Sequence, residues 1–239
     1  MPDREPHVSC LITAEHAGNR VPGRWRTLFD GRRSLLDGHR GWDPGSGELA
    51  RALAEALQAP LLEGRITRLL VDLNRSADHP RRFPEFTRAL PAEDRAALVR
   101  DYWRPHWTRY RNYLDTLAGR IVHIACHSFT PVLDGKTRST DIGLLYDPSR
   151  PIEAAFCRRL GGRLRTAFPD LIVHMNQPYR GVSNGLGQQH RRDYPDTRLI
   201  TFELEINQRL LAAPGASGLA GAIAAAIAGA LLQDVSEAR

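Results

Sequence analysis

Two histidines and an aspartate stand where polar residues follow or interrupt apolar runs of the chain. His16 follows "VSCLIT", His127 follows "IVHIAC", and Asp43 lies in "GWDPG". Two imidazoles and a carboxylate, with a fourth position left for water, form the ligand set of a catalytic zinc site. Zinc in such a site lowers the pKa of its water towards neutrality and polarises a carbonyl group. These three residues are therefore the candidate metal ligands.

The identity of the third ligand is open at this stage. Asp43 precedes a proline and a glycine, where aspartate is also common as a turn or capping residue. The segment from His16 to Asn19 has the spacing of an HxxE zinc pair, but it ends in an amide instead of a carboxylate. Glu15 is the alternative ligand. Each histidine taken alone is also explained as a structural residue, and only their common position at strand ends favours a metal site.

A pair of acids near the end of the chain is the candidate for proton transfer. In "ELEINQ", Glu203 and Glu205 alternate with apolar residues, so both carboxylates lie on one face of a strand. Two close carboxylates raise one another's pKa, which suits a catalytic acid or base. Cys126 should face away from the site because it precedes His127 on a strand. Ser128 lacks a GxSxG context, so neither side chain is expected to be a nucleophile.

Asn74 and Arg75 directly follow another apolar run, "RLLVDL". A planar guanidinium binds a carboxylate through two parallel hydrogen bonds, and a neighbouring amide can add a third. The dipeptide is therefore a candidate clamp for a substrate carboxylate. A capping asparagine beside a surface arginine is the alternative interpretation.

The elements that must position these residues alternate between strands and helices. Helical patterns cover residues 46–59, residues 91–119 with a kink or break at Pro105, residues 150–168 and an alanine-rich end. This alternation predicts one α/β domain over residues 1–239, with a central mixed, mostly parallel sheet flanked by helices. Ligands of such sheets bind beyond the carboxyl ends of the strands, and five of the six predicted strands end in polar residues, which we expect to meet at a single rim of the sheet. The predicted strands are residues 8–13, 68–73, 121–126, 142–146, 171–175 and 199–206.

Composition narrows the class of protein. The net charge is +6, but Lys136 is the only lysine, and such a skew indicates coding bias more than a nucleic-acid-binding stripe. The three cysteines are far apart, which favours a reducing cytoplasm over a disulfide framework. The N-terminus has no signal-peptide pattern. The apolar run "GLAGAIAAAIAGALL" is shorter than the roughly 20 residues of a membrane span, so a packed terminal helix is expected instead.

Several motifs in combination carry a resemblance to a known family. "EHAGNRVP", "GWDPG", "RLLVDLNRS", "CHSFTPVLDG", "DIGLLYDP", "NQPYRG" and "ELEINQ" together resemble the N-formylglutamate amidohydrolase family, from Glu15 to Gln208. The resemblance implies a zinc-dependent hydrolase with a phosphorylase/hydrolase-like α/β fold, distantly related to zinc carboxypeptidases and aspartoacylases.

The resemblance also implies roles for individual residues. His16 and His127 become metal ligands, with Asp43 or Glu15 as the third, and Glu205 becomes the base in preference to Glu203. Asn74 and Arg75 become the carboxylate clamp. Further substrate contacts are implied for Arg138, Tyr179 and Arg180, whose roles are less defined. Of these, Arg138 or Arg180 would bind a second substrate carboxylate or the oxyanion.

The resulting hypothesis is hydrolysis of the amide of an N-acyl amino acid such as N-formyl-L-glutamate, with Zn²⁺ as cofactor. A deacylase or carboxypeptidase-like enzyme acting on another N-acyl amino acid or peptide is the first alternative. A basic protein that binds RNA or another anionic partner is the second, although a phosphate-binding surface has no need of Glu205 or His127. The pattern predicts a small-molecule substrate, no nucleic-acid or membrane partner and a cytoplasmic location.

Overall fold

A six-stranded sheet forms the centre of the computed structural model, which describes residues 7–237. The strands of the described residues are β1 (Val8–Ala14), β2 (Leu61–Glu63), β3 (Arg120–Phe129), β4 (Val132–Leu133), β5 (Lys136–Thr137), β6 (Ile142–Leu145), β7 (Val173–Met175) and β8 (Leu199–Asn207). The helices are α1 (Arg33–Asp37), α2 (Ser46–Ala56), α3 (Ala92–Leu98), α4 (Arg104–Thr116), α5 (Pro151–Ala167), α6 (Leu186–His190), α7 (Gln208–Leu211) and α8 (Ala216–Glu237).

The sheet is mixed and mostly parallel, as predicted. Its strand order is β2-β1-β3-β8-β6-β7, and β4 and β5 form a separate hairpin. The pairings β2–β1, β1–β3, β3–β8 and β6–β7 are parallel, whereas β8–β6 is antiparallel. The carboxyl ends of β1, β3 and β8 therefore meet at one rim of the sheet.

The prediction that five strands direct polar residues to a single rim is wrong for β7. Because β6 lies antiparallel to β8, and β7 is parallel to β6, the carboxyl end of β7 points towards the opposite rim. The chain after β7 returns to the first rim through a loop that carries Tyr179. Hydrophobic periodicity identifies a strand but carries no information on its direction, which explains the error.

The predicted strand at residues 68–73 is also wrong, because this segment consists of turns and irregular backbone. Its apolar residues, including Leu70 and Val71, pack into a cluster with Trp25, Phe29 and Leu98, away from the main sheet. A short apolar run occurs both in strands and in buried irregular segments, so the pattern does not distinguish between them. The actual neighbour of β1 on this side is the three-residue strand β2, which was not predicted.

Helices cover both faces of the sheet. On β3, Val122, Ile124 and Cys126 point into the cluster formed with α2, α5 and α8. Ile121 faces the opposite side, where Tyr110 of α4 packs. This alternation confirms that Cys126 points away from the face of His127. The predicted kink or break at Pro105 is not a break: a π-helical turn (Val99–Trp103) joins α3 to α4 without interrupting the helical backbone.

The alanine-rich end of the chain forms α8. Its stretch Ala216–Asp234 is long and apolar enough to cross a membrane, a test that core helices of soluble proteins also pass. In the structure, Ile223 and Ile227 are fully buried in the core, and the helix packs against α2 and α5. This packing agrees with the expected terminal core helix.

Candidate metal centre

Three buried side chains converge at the rim where β1 and β3 end. His16 lies two residues beyond β1, His127 lies on β3, and Asp43 precedes α2. The backbone N–H of Asp43 donates to the carbonyl of His16, which joins the loop before α2 to the end of β1. One ligand atom from each of the three side chains lies within 4.8 Å of the others. The predicted ligand set is thus brought together.

The two imidazoles present the same ring nitrogen to the centre. Asp43 Oδ2 lies 2.8 Å from His127 Nδ1 and 3.5 Å from His16 Nδ1. The other nitrogens face outer carboxylates: His16 Nε2 lies 2.7 Å from Asp72 Oδ1, and His127 Nε2 lies 3.1 Å from Glu15 Oε2. A histidine that binds a metal usually directs its second nitrogen to a carboxylate or carbonyl in this way. Buried His16 Nδ1 has no hydrogen-bond partner among the described residues, so the geometry fits a cation.

Asp43 and Glu15, the two predicted alternatives for the third ligand, lie at different edges of the His127 ring. Glu15 lies against the Nε2 edge of His127, whereas Asp43 lies against the Nδ1 edge that faces His16. This position makes Asp43 the candidate third ligand and makes Glu15 a candidate support for the His127 ring.

The electrostatics of the centre favour a positive charge. Burial raises the pKa of the Asp43 carboxyl, but Arg68 and the two histidines outweigh burial and hold that pKa well below its usual range. Burial likewise opposes the ionisation of Glu15, yet the imidazole of His127 brings its pKa down to about 2. These two acids overcome the burial of His127 and hold its pKa well above its usual value. Anions that hold a proton on a buried imidazole would also hold a metal cation there.

The acid pair of β8 stands beside the centre. In the β3–β8 register, Glu205 is the partner of His127, and Glu203 is the partner of Ala125. Glu205 is buried, and within residues 7–237 its Oε2 has no hydrogen-bond partner. Burial raises the pKa of Glu205 to about 8, and the nearby charges of Asp43 and Glu203 add to this effect. Glu203 Oε1 instead accepts a hydrogen bond from Asn74 Nδ2 at 3.1 Å.

A glycine on β6 allows the backbone of this strand to lie close to Glu205. Gly143 of β6 is its partner in the antiparallel register. A Cβ atom at Gly143 would lie 3.3 Å from Glu205 Cβ and 2.2 Å from the carbonyl oxygen of Gln177. Glycine is therefore required at this position by the contact with Gln177, and it keeps β6 close to the catalytic candidate.

An open cavity of about 440 Å³ connects these groups to solvent. Its lining contains the candidate ligands His16, Asp43 and His127 and both acids of β8, together with the Asn74–Arg75 pair and Tyr179, but not Glu15. The further lining residues are His39, Arg68, His79, Arg81, Ser128, Phe129, Thr130, Leu133, Ser183 and Asn184.

Only some of the predicted substrate-binding residues line the cavity. Asn74 is committed to internal bonds, because its Nδ2 donates to Glu203 and its Oδ1 accepts from the backbone of Leu186 at 2.7 Å. Arg75 donates to backbone carbonyls, including that of Asn74 at 3.2 Å, and its partly exposed side chain lines the cavity. Arg138 donates to the Tyr179 hydroxyl and stays outside the lining. In the described chain, Arg180 is exposed and is not brought to the cavity.

Sequence reasoning missed two charged residues that support the centre. Arg68 forms an ion pair with Asp43, and Asp72 holds Nε2 of His16. Both lie in the run that was predicted to be a strand. The available signal was the charge itself, since a buried strand has no reason to carry an arginine and an aspartate without partners.

Asp72→Asn is expected to weaken zinc binding by about 10- to 100-fold, because the amide no longer holds the His16 ring as a charged acceptor. Competition with a chromophoric chelator measures the affinity. Asp78→Asn is a matched control, since Asp78 lies on the same loop but is exposed. Equal affinities of the two variants would show that Asp72 does not support the centre.

Comparison with known proteins gives a family and a fold. A family model described as N-formylglutamate amidohydrolase matches residues 8–212. The crystal structure of a gene product from Agrobacterium tumefaciens is 27% identical with a TM-score of 0.78, covering 94% of this chain and 91% of that chain. N-formylglutamate amidohydrolase from Ralstonia eutropha JMP134 is 16% identical with a TM-score of 0.63, covering 97% and 96%, a likeness of fold alone. No curated protein matches the chain significantly.

Proposed function

The chain belongs to the N-formylglutamate amidohydrolase family, and from this premise we propose that it is a zinc-dependent enzyme that hydrolyses the amide of N-formyl-L-glutamate or a related N-acyl amino acid. The family match confirms the resemblance drawn from the sequence motifs and supports an amidohydrolase. Our proposal adds to this the identity of the metal, zinc, and of the substrate, an N-acyl amino acid.

One observation carries the metal proposal. The Nδ1 atoms of His16 and His127 converge on Asp43, while both Nε2 atoms are turned outwards to carboxylates. This donor set of two imidazoles and one carboxylate suits Zn²⁺ and leaves a position for water. Zinc held by these residues would act as a Lewis acid towards the scissile carbonyl and lower the pKa of a water molecule.

The chain's own residues would perform the proton transfers. Glu205 accepts a proton from the water whose oxygen attacks the carbonyl carbon. It then donates this proton to the amine nitrogen as the carbon–nitrogen bond breaks, which releases the free amino acid and the acid of the acyl group. Glu205 pairs with His127 in the β3–β8 register, and its Oε2 has no hydrogen-bond partner among the described residues, which supports this role.

Arg75 is the residue that we propose to bind the carboxylate of the substrate. Its guanidinium lines the cavity and is held by backbone carbonyls, so its position is fixed before the ligand arrives. Asn74 contributes by holding Glu203 and the amino end of α6 through its side chain. We therefore assign the clamp to Arg75 and a positioning role to Asn74.

We further propose that the protein acts in the cytoplasm on a small molecule. Cys10, Cys126 and Cys157 are free thiols, and two of them are buried, which suits a reducing compartment. The cavity is lined by groups that fit an anionic small molecule, including Arg75 and Arg81.

Formate release from N-formyl-L-glutamate tests the proposal. We expect the zinc-reconstituted protein to release formate, a chelated sample to lose this activity, and added zinc to restore it. Metal content measured on the same samples serves as the control for reconstitution. A protein that binds no zinc would contradict the metal proposal, and a zinc-loaded protein that hydrolyses no N-acyl amino acid would contradict the reaction.

A further inference from the structure

One side of the cavity is apolar and exposed. Leu133 is 40% exposed and Tyr179 is 44% exposed, and both line the cavity that contains the candidate metal ligands. Val132 and Val182, which are also exposed, adjoin lining residues. These four account for most of the large apolar side chains exposed in the described chain, where Ile172 and Leu232 are the others. Of these, Leu133 and Tyr179 lie in the polar cleft itself, and exposed apolar side chains in such a place mark a surface that a ligand covers.

The hairpin after β3 holds Leu133 in place. Its turn residues Asp134 and Gly135 have φ values of 50° and 74°, the left-handed conformation that a two-residue hairpin turn requires. Because side chains alternate along a strand, Leu133 lines the cavity while its neighbour Val132 does not. The hairpin therefore presents one apolar side chain to the site and turns the next away.

Tyr179 is held from two directions. Arg138 donates to its hydroxyl at 3.0 Å, and the same guanidinium lies 5.1 Å from the Tyr179 ring and 5.5 Å from the Phe129 ring. The loop that carries Tyr179 is fixed by Asn176, whose side-chain oxygen accepts hydrogen bonds from the backbone of Tyr146 and Gly181. Arg138 thus acts through Tyr179, which explains why it is absent from the lining itself.

The basic and apolar sides of the cavity come from different parts of the sheet. The basic side chains, such as Arg75 and Arg81, come from segments that follow β1 and β2. The apolar side chains Phe129, Leu133 and Tyr179 come from the end of β3, from the hairpin and from the loop after β7. Both groups line the same cavity as the candidate metal ligands.

We propose that the enzyme prefers an N-acyl amino acid whose acyl group is apolar and larger than formyl, an inference that rests on the proposed function. A carboxylate bound at Arg75 places the amino-acid part on the basic side. The acyl group then extends across the scissile bond towards Phe129, Leu133 and Tyr179. The cavity of about 440 Å³ lies in the range of roughly 300–1,000 Å³ typical of small-molecule pockets, so there is room for such a group.

A series of N-acyl-L-glutamates tests this inference with the zinc-loaded protein. Formyl, acetyl, butanoyl and hexanoyl derivatives differ only in the acyl group, and kcat/KM is measured for each. We expect kcat/KM for the hexanoyl derivative to exceed that for the formyl derivative by at least about tenfold, since each buried methylene strengthens binding of the transition state.

Leu133→Ala should lower the hexanoyl-to-formyl ratio by about fivefold, because the shorter side chain removes apolar contact with the chain end. Val132→Ala is the matched control: it shortens the adjacent residue, which is similarly exposed but turned away, and should leave the ratio unchanged. Leu133→Met should retain most of the ratio. Since both valine and leucine positions are exposed, neither variant removes core packing.

Two results would overturn the inference and are distinguishable. Equal or falling kcat/KM along the acyl series, with formylglutamate hydrolysed, would refute the apolar acyl site and leave the proposed function intact. In that case, cosedimentation with phosphatidylcholine vesicles, abolished by Leu133→Asp, would assign the patch to a membrane surface instead. Hydrolysis of no member of the series by the zinc-loaded protein would refute the proposed function and this inference together.

Discussion

Glu205→Gln is expected to lower kcat by about 10²- to 10⁴-fold, the range that general acid–base catalysis contributes, while zinc remains bound. The amide has nearly the same shape as the carboxylate but cannot accept the proton of the attacking water. Glu205 is buried, and its Oε2 has no partner in the part of the chain that the structure describes. Steady-state kinetics on protein of known zinc content measures the effect.

Glu203→Gln is the matched control for this experiment. Glu203 lies two residues away on the same face of β8 and also lines the cavity. Its carboxylate already accepts a hydrogen bond from Asn74, so it is less available to a substrate proton. We expect this variant to lose about tenfold or less, through the altered position of Asn74. If the two variants lost activity equally, Glu205 would not be the sole base, and if only Glu203→Gln lost activity, the assignment would be reversed.

The sequence allowed prediction of the parts of the site that depend on strand ends. His16 and His127 follow or end long apolar runs, and parallel neighbours bring such ends together without any further information. The face shared by Glu203 and Glu205 follows from alternation along a single strand. These relations are local or depend on one general property of parallel sheets, which is why they could be predicted.

The choice between Asp43 and Glu15 was beyond sequence reasoning for a physical reason. Both carboxylates are near His16 or His127 in space, and both are buried. Their roles differ only in which edge of the His127 ring each one faces. That edge is set by the packing of the loop before α2 against the end of β1, a tertiary contact with no periodic pattern.

The antiparallel β6–β8 pairing and the irregular segment around Asp72 were missed for a related reason. The segment that contains Arg68 and Asp72 has the apolar content of a strand, yet it is held by turns and by side-chain contacts to distant residues. Arg68 pairs with Asp43 and Asp72 pairs with His16, partners that lie 25 and 56 residues away in the sequence. Interactions of this kind are determined by the assembled fold.

His16→Asn is expected to abolish stoichiometric zinc binding, and with it the zinc-dependent activity. The shorter amide cannot present a ring nitrogen beside Asp43 and His127, and a site with two remaining ligands falls below the three that catalytic zinc sites use. Zinc content after dialysis measures the loss. His39→Asn is the matched control, because this exposed histidine lines the same cavity but is not part of the candidate ligand group, and it should retain about one zinc per chain.

Thermal unfolding with and without zinc separates loss of the metal from loss of the fold. The centre gathers Asp43, Glu15 and Asp72, all buried, around two histidines, so a bound cation should stabilise the native state. Zinc should therefore raise the Tm of the wild type and of His39→Asn but leave that of His16→Asn unchanged. A zinc-dependent rise in His16→Asn equal to that of the wild type would place the metal elsewhere. If zinc raised the Tm of neither the wild type nor the variants, the buried acids would not serve to bind a cation.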